Sequence, residues 1–221
     1  MSGDQSEKNS ANVISRRDVL VGAATGSVAL VSSRTVDASA TGLQPEPGTG
    51  IARYTALALQ LACDPVNQDD PQSARQRMTR SLERYGKTIR DTSAFLKVFN
   101  GRQVKLVVLP EYFLTGFPMG ESFAEWKSKA VLDPNGPEYE FLGRIAQSSG
   151  VYLSGNAYEA DQYFPDLYFQ TSFIIAPSGD LILRYRRLIS LYTPTPYDVW
   201  DKYVDRYGLD GVFPVVDTDI G

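Results

Sequence analysis

The sequence predicts an α/β fold in which helices cover a mixed β-sheet. Short apolar runs that suit buried strands alternate with segments whose apolar residues recur at helical spacing, as in βαβ units. Two later apolar runs, residues 171–176 and 181–185, flank the turn sequence PSGD and indicate an antiparallel hairpin. Parallel units followed by a hairpin predict one mixed sheet with helices outside it.

The predicted domain, residues 54–221, begins with a strand at 54–62. Pro71 suits the first turn of a long helix. An apolar stripe along that helix predicts packing against the core: Met78, Leu82, Tyr85, Ile89 and Leu96. Basic residues are spread around the same helix with acids among them, which is typical of a solvated face. Two further helices are expected at 121–132 and 137–149, followed by a third strand at 151–155.

Residues 105–116 (KLVVLPEYFLTG) place Glu111 directly after an apolar run that resembles a fully buried strand. Ligands of such sheets bind beyond the carboxyl ends of the strands, so Glu111 stands where α/β enzymes hold catalytic groups. The alternative is an ordinary loop acid facing water, because most glutamates are solvated.

Composition limits the classes of function that this chain can have. The 221 residues are 43% hydrophobic, which is enough for one sizeable core and a single domain. Their formal net charge of −4 gives no reason to expect nucleic acid as a partner, so a small-molecule substrate fits better. The sequence contains no histidine and one cysteine, which excludes histidine-based triads within it and predicts neither a metal nor a cofactor.

Residues 1–40 predict a twin-arginine-type signal peptide. Residues 15–21 (SRRDVLV) precede a mildly apolar stretch and then a small-residue cleavage site at 38–40 (ASA). Such a signal predicts that the mature form is periplasmic or extracellular. The apolar stretch is too short to span a membrane, so no membrane segment is expected in the mature form. A chance Arg-Arg pair in a disordered tail is the alternative. Residues 41–53 read as a linker.

The chain resembles the nitrilase (carbon-nitrogen hydrolase) superfamily from about Tyr54 to its end. Besides the Glu111 segment, the resemblance rests on residues 56–60 (ALALQ), 145–155 (IAQSSGVYLSG) and 178–187 (SGDLILRYRR) in the expected order. It implies a four-layer αββα sandwich in which two sheets pack face to face. It also implies a Glu, Lys and Cys triad that acts on small amides or nitriles, and assembly as a possible homo-oligomer.

Two positions depart from the triad that the resemblance implies. Glu111 matches the general base and Tyr112 is expected to line the pocket, but Arg187 occupies the lysine position. Arginine stays charged and presents a planar fork, so it cannot easily shuttle a proton. The alternative is that Arg186 and Arg187 are ordinary edge-strand cations.

The single cysteine, Cys63, lies near the first strand and is predicted to be a small buried hydrophobic residue. In relatives the nucleophile follows a segment similar to 213–221 (FPVVDTDIG), so the fold is expected to be incomplete at its C-terminus. These departures predict a hydrolase relative that is inactive as this chain. A non-catalytic binding or assembly protein and an unstable truncated product are the alternatives.

Overall fold

A computed structural model of the protein describes residues 52–191 and 193–221. The predicted signal peptide, and all but the last two residues of the predicted linker, lie outside these described residues. In the described part, no helix combines the length and the apolar character that a membrane crossing needs.

The elements follow the predicted order of strand, helix and strand. They are β1 (Thr55–Ala58), α1 (Pro71–Asn100), β2 (Val104–Val108), α2 (Phe123–Ala130), α3 (Pro137–Ser149), β3 (Tyr152–Ala160), β4 (Tyr168–Ile175), β5 (Leu181–Arg186), a 3₁₀ turn (Pro196–Val199) and α4 (Trp200–Tyr207). The sheet has the order β1-β2-β3-β4-β5. Strands β1, β2 and β3 run parallel, whereas β4 and β5 add antiparallel, which confirms the mixed sheet and the hairpin.

Local sequence signals explain where α1 begins and ends. The Asp70 carboxylate accepts hydrogen bonds from the backbone N–H groups of Gln72 and Ser73, and Pro71 occupies the first helical position. Gly101 ends the helix in the left-handed conformation, with φ of 68°. Four members of the predicted apolar stripe are buried and the fifth is partly buried against the same core, so the interpretation as core packing is confirmed.

Several predicted boundaries were wrong. Strand β1 stops at Ala58 instead of residue 62, because its pairing with β2 ends there. Helix α2 begins at Phe123, since Ser122 is its N-cap in a capping box with Glu125. Its predicted last residue, Leu132, instead bridges to strand β3.

Strand β3 is nearly twice as long as predicted. It extends to Ala160 because residues 156–160 pair with the first half of β4. This extension places Asn156 in the sheet and Glu159 in the interior.

The two faces of the sheet differ in burial. Along β3, Leu153, Gly155 and Ala157 point into the helix-covered core, while Ser154 and Asn156 on the opposite face are only half-buried. We call this second surface the open face. The α/β class is confirmed, and the described residues contain one of the two sheets that a four-layer sandwich requires.

Candidate active site

Glu111 and Arg187 meet although 76 positions separate them in the sequence. Glu111 follows β2 and Arg187 follows β5, and an Nη1 hydrogen of Arg187 is donated to Oε1 of Glu111 at 2.8 Å. The carboxylate and guanidinium side chains are 54% and 45% exposed, so both remain accessible to a ligand. The structure thus brings together the two predicted catalytic residues, whose roles remain predictions.

Gln170 of β4 and Asn156 of β3 form a polar network with Glu111 and Arg187. The Gln170 amide nitrogen donates to Oε1 of Glu111 at 3.0 Å and to Oδ1 of Asn156 at 3.2 Å. The Gln170 amide oxygen accepts from Nη1 of Arg187 at 3.2 Å. Sequence reasoning missed both residues. The available signal was a glutamine within the aromatic and β-branched run YFQTSFII, where a buried amide needs partners.

A groove of about 440 Å³ opens beside this network on the open face. Besides Glu111 and Arg187, its lining includes the polar side chains of Ser154, Asn156, Ser172 and Tyr185. The groove therefore offers a carboxylate that can take a proton, a fixed positive charge, and hydroxyl and amide groups that can orient a polar ligand. A larger cavity of about 760 Å³, lined by parts of α1 and α3, contains none of the predicted site residues.

Tyr112 directs its ring away from the groove. The ring lies 5.8 Å from that of Tyr158 and 5.6 Å from that of Phe117, between centroids, and packs against the main core. Its backbone is left-handed, with φ of 55°, which costs a non-glycine residue on the order of 1 kcal/mol. This backbone conformation directly after Glu111 sets the direction in which the chain leaves the candidate site. The role of Tyr112 in substrate binding stays a prediction.

Cys63 is half-buried beneath the loop that carries Glu111. Its Sγ lies 3.1 Å from the carbonyl oxygen of Tyr112, to which the thiol donates. Burial raises the pKa of this thiol above its ordinary value. A thiol held in the protonated form is a poor nucleophile, and Cys63 is not among the residues that line the groove.

Arg186 points to the opposite side from its neighbour Arg187. It is only 5% exposed, and its Nη2 lies 2.5 Å from Oδ2 of Asp161 and 3.5 Å from Oε1 of Glu159. The rings of Phe169, Tyr203 and Tyr207 surround the guanidinium. Arg186 is therefore not an ordinary edge-strand cation, and that alternative is wrong for this residue.

The pKa values of the two acids beside Arg186 are shifted in opposite directions, although burial acts to raise both. Burial raises the pKa of Glu159 despite the nearby guanidinium groups of Arg184 and Arg186. For Asp161, the effect of burial is outweighed by the hydrogen bond from Tyr207 and by Arg186, so the pKa is lowered. In the described part of the chain, no group of three or more acidic or cysteine side chains is arranged to hold a metal ion.

Comparison with known proteins defines the class of protein. The carbon-nitrogen hydrolase family model matches residues 70–221, which include Glu111, Gln170 and Arg187. The chain belongs to the carbon-nitrogen hydrolase family, and the resemblance seen in the sequence is confirmed.

Individual relatives are more distant. The chain is 28% identical to Nitrilase 2 of Arabidopsis thaliana over 151 residues, which cover 61% of this chain and 41% of that protein. It is 26% identical to Nitrilase 3 of the same plant, covering 61% of this chain and 40% of that protein. The chain thus spans about two fifths of the length of these curated relatives.

Solved structures show a more limited similarity to the chain. An N-terminal amidase with an Asn-Glu-Ala peptide has a TM-score of 0.46 at 18% identity, covering 65% of this chain and 29% of that one. Nit3 of Saccharomyces cerevisiae has a TM-score of 0.40 at 25% identity, covering 51% of this chain and 40% of that one.

Proposed function

We propose that this chain supplies the Glu111 side of a site that hydrolyses carbon–nitrogen bonds in small amides or nitriles. Family membership supports the reaction class. The observation that supports this location of the site is the contact of Arg187 with Glu111 at the edge of an open, polar groove. The groove volume of about 440 Å³ suits a small substrate.

In this proposal Glu111 is the general base. It takes the proton of the attacking nucleophile through the carboxylate that faces the groove. Arg187 stays protonated throughout, so it stabilises the Glu111 carboxylate and the negative charge that develops on the substrate, but it transfers no proton. The lysine that the family resemblance implies at this position is able both to stabilise negative charge and to transfer a proton.

The nucleophile in this proposal is a thiol other than Cys63. Cys63 is the only cysteine of the sequence, its thiol donates to the Tyr112 carbonyl, and its pKa is raised. We therefore expect the 221-residue chain to show no turnover by itself. Loss of a covalent nucleophile lowers the rate on the order of 10⁴-fold to 10⁶-fold, because the members of such a unit act together.

The test begins with the DNA downstream of the codon for Gly221, which shows whether a cysteine follows in the same reading frame. Ammonia release from a panel of small amides and nitriles is then measured for the 221 residues and for the complete reading frame. We expect turnover only where a downstream cysteine is present. Glu111→Gln should lower it by about 10²-fold to 10⁴-fold, whereas Glu83→Gln, at an exposed acid of α1, should leave it unchanged.

Other results of the same test separate the alternatives. Turnover by the 221 residues alone would contradict the assignment of the nucleophile. A complete reading frame without cysteine that binds but does not hydrolyse an amide would instead support a non-catalytic relative, in which the fixed charge of Arg187 serves binding. An unstable fragment is excluded if the chain melts cooperatively as a soluble protein.

Export through a twin-arginine-type signal belongs to the same proposal. It rests on the order of the Arg16-Arg17 pair, the apolar stretch and the small-residue site in residues 1–40. Replacing both arginines by lysine should retain the protein inside the cell and leave it uncleaved. Export of that double variant at the normal rate would refute the assignment.

A further inference from the structure

The Gln170 side chain joins Glu111 and Arg187 through both ends of its amide. Its nitrogen donates to Glu111 and its oxygen accepts from Arg187. The backbone carbonyl of Gln170 also accepts from the backbone N–H of Arg187 at 2.9 Å. Gln170 is only 1% exposed, so these partners are fixed by the surrounding sheet and are not replaced by water.

The same contacts distinguish the two oxygens of the Glu111 carboxylate. Oε1 accepts from both Gln170 and Arg187. Within residues 52–191 and 193–221, no donor is bonded to Oε2. A carboxylate oxygen that already accepts two hydrogen bonds is the weaker proton acceptor, so Oε2 is the oxygen left for a substrate or nucleophile.

We propose that Gln170 is a positioning residue, which holds Oε1 of Glu111 against Arg187 and thereby presents Oε2 to the groove. This inference rests on the proposed function, because it assigns to Gln170 a role in orienting the general base. An amide suits this position since it donates to one partner and accepts from the other. A carboxylate at position 170 lacks the donor, and an apolar side chain lacks both groups.

An exchange of the two side chains tests the proposal in the 221-residue chain. Gln170→Glu places a buried carboxylate against Glu111, so we expect the unfolding equilibrium constant in urea to rise by at least about tenfold. Adding Glu111→Gln to that variant should reverse most of the rise. The amide at position 111 then donates to the carboxylate at 170, which also accepts from Arg187. Gln76→Glu, at an exposed position of α1, should change the constant less than about twofold.

Recovery in the double variant is the decisive result, because a residue that only fills space gives no recovery. Where both variants fold, a double variant that is as unstable as Gln170→Glu, or a Gln170→Glu variant as stable as the parent, would overturn the proposal. If neither variant folds, the Nε–H resonance of Arg187 in ¹⁵N-arginine-labelled Gln170→Met decides. It should move as it does in Glu111→Gln, and an unmoved resonance rejects the role. Neither readout requires turnover, so failure of this inference is distinguishable from failure of the hydrolase assignment.

Discussion

The buried contact between Asp161 and Arg186 makes a quantitative prediction about stability. The two residues are 7% and 5% exposed, and the interacting atoms are 2.5 Å apart. We expect Asp161→Asn to lower the free energy of unfolding by about 3 kcal/mol, because it leaves the guanidinium buried without its nearest counter-ion. This value is at the lower end of the usual range of about 3–5 kcal/mol, since Glu159 remains 3.5 Å from the same nitrogen.

Urea unfolding followed by circular dichroism measures this change. The matched control is Asp91→Asn, which removes the same charge from an exposed pair with Lys87 and should cost about 0.5 kcal/mol or less. Combining Asp161→Asn with Arg186→Met should cost less than the sum of the single changes by about 1–3 kcal/mol, since the two residues are coupled. A loss below about 1 kcal/mol for Asp161→Asn, or simple additivity, would refute the reasoning.

Three further outcomes are expected. Because the folded-state pKa of Asp161 is lowered, its contribution is present above the unfolded value of about 3.9 and is lost as the pH falls through the folded value. Asp161→Asn should therefore lose less stability than the parent on acidification, and equal losses would contradict this. Gly143→Ala should lower the free energy of unfolding by about 1–3 kcal/mol, although alanine has the better helix propensity. The Cβ of the new alanine would lie 2.7 Å from the Gly179 carbonyl oxygen. Ser148→Ala in the same helix is the control in thermal melts. Iodoacetamide should label Cys63 more slowly in the folded chain than in urea at pH 7.5, because burial raises the thiol pKa. Equal rates would contradict this.

Elements with local signals could be predicted from the sequence. Helix α1 carries its own N-cap, its proline and its apolar stripe, and the β4–β5 hairpin carries its own turn. The second half of β3 has no such signal. Its residues include Asn156 and Glu159, which are poor strand formers, and they become strand because β4 pairs with them over their whole length.

The candidate site was predictable only where its residues carry a local sequence signal or match the family resemblance. Glu111 is marked by the strand before it, and Arg187 by the family resemblance. Gln170 contacts Glu111 across 59 residues and Arg187 across 17, so only the folded sheet brings the three together. Nothing near Gln170 in the sequence shows that its amide has one acidic and one basic partner.

The Arg186-Arg187 dipeptide shows how strand geometry gives two identical residues different roles. Successive side chains of a strand point to opposite faces, so Arg186 enters the aromatic cluster while Arg187 reaches the open face. Lysine substitutions at the two positions therefore test different properties. Arg186→Lys removes a planar group packed among rings and should affect stability, whereas Arg187→Lys changes an exposed contact and should affect proton transfer. A one-residue shift in the register of β5 would exchange these environments, so the pairing of β5 with β4 determines which arginine contacts Glu111.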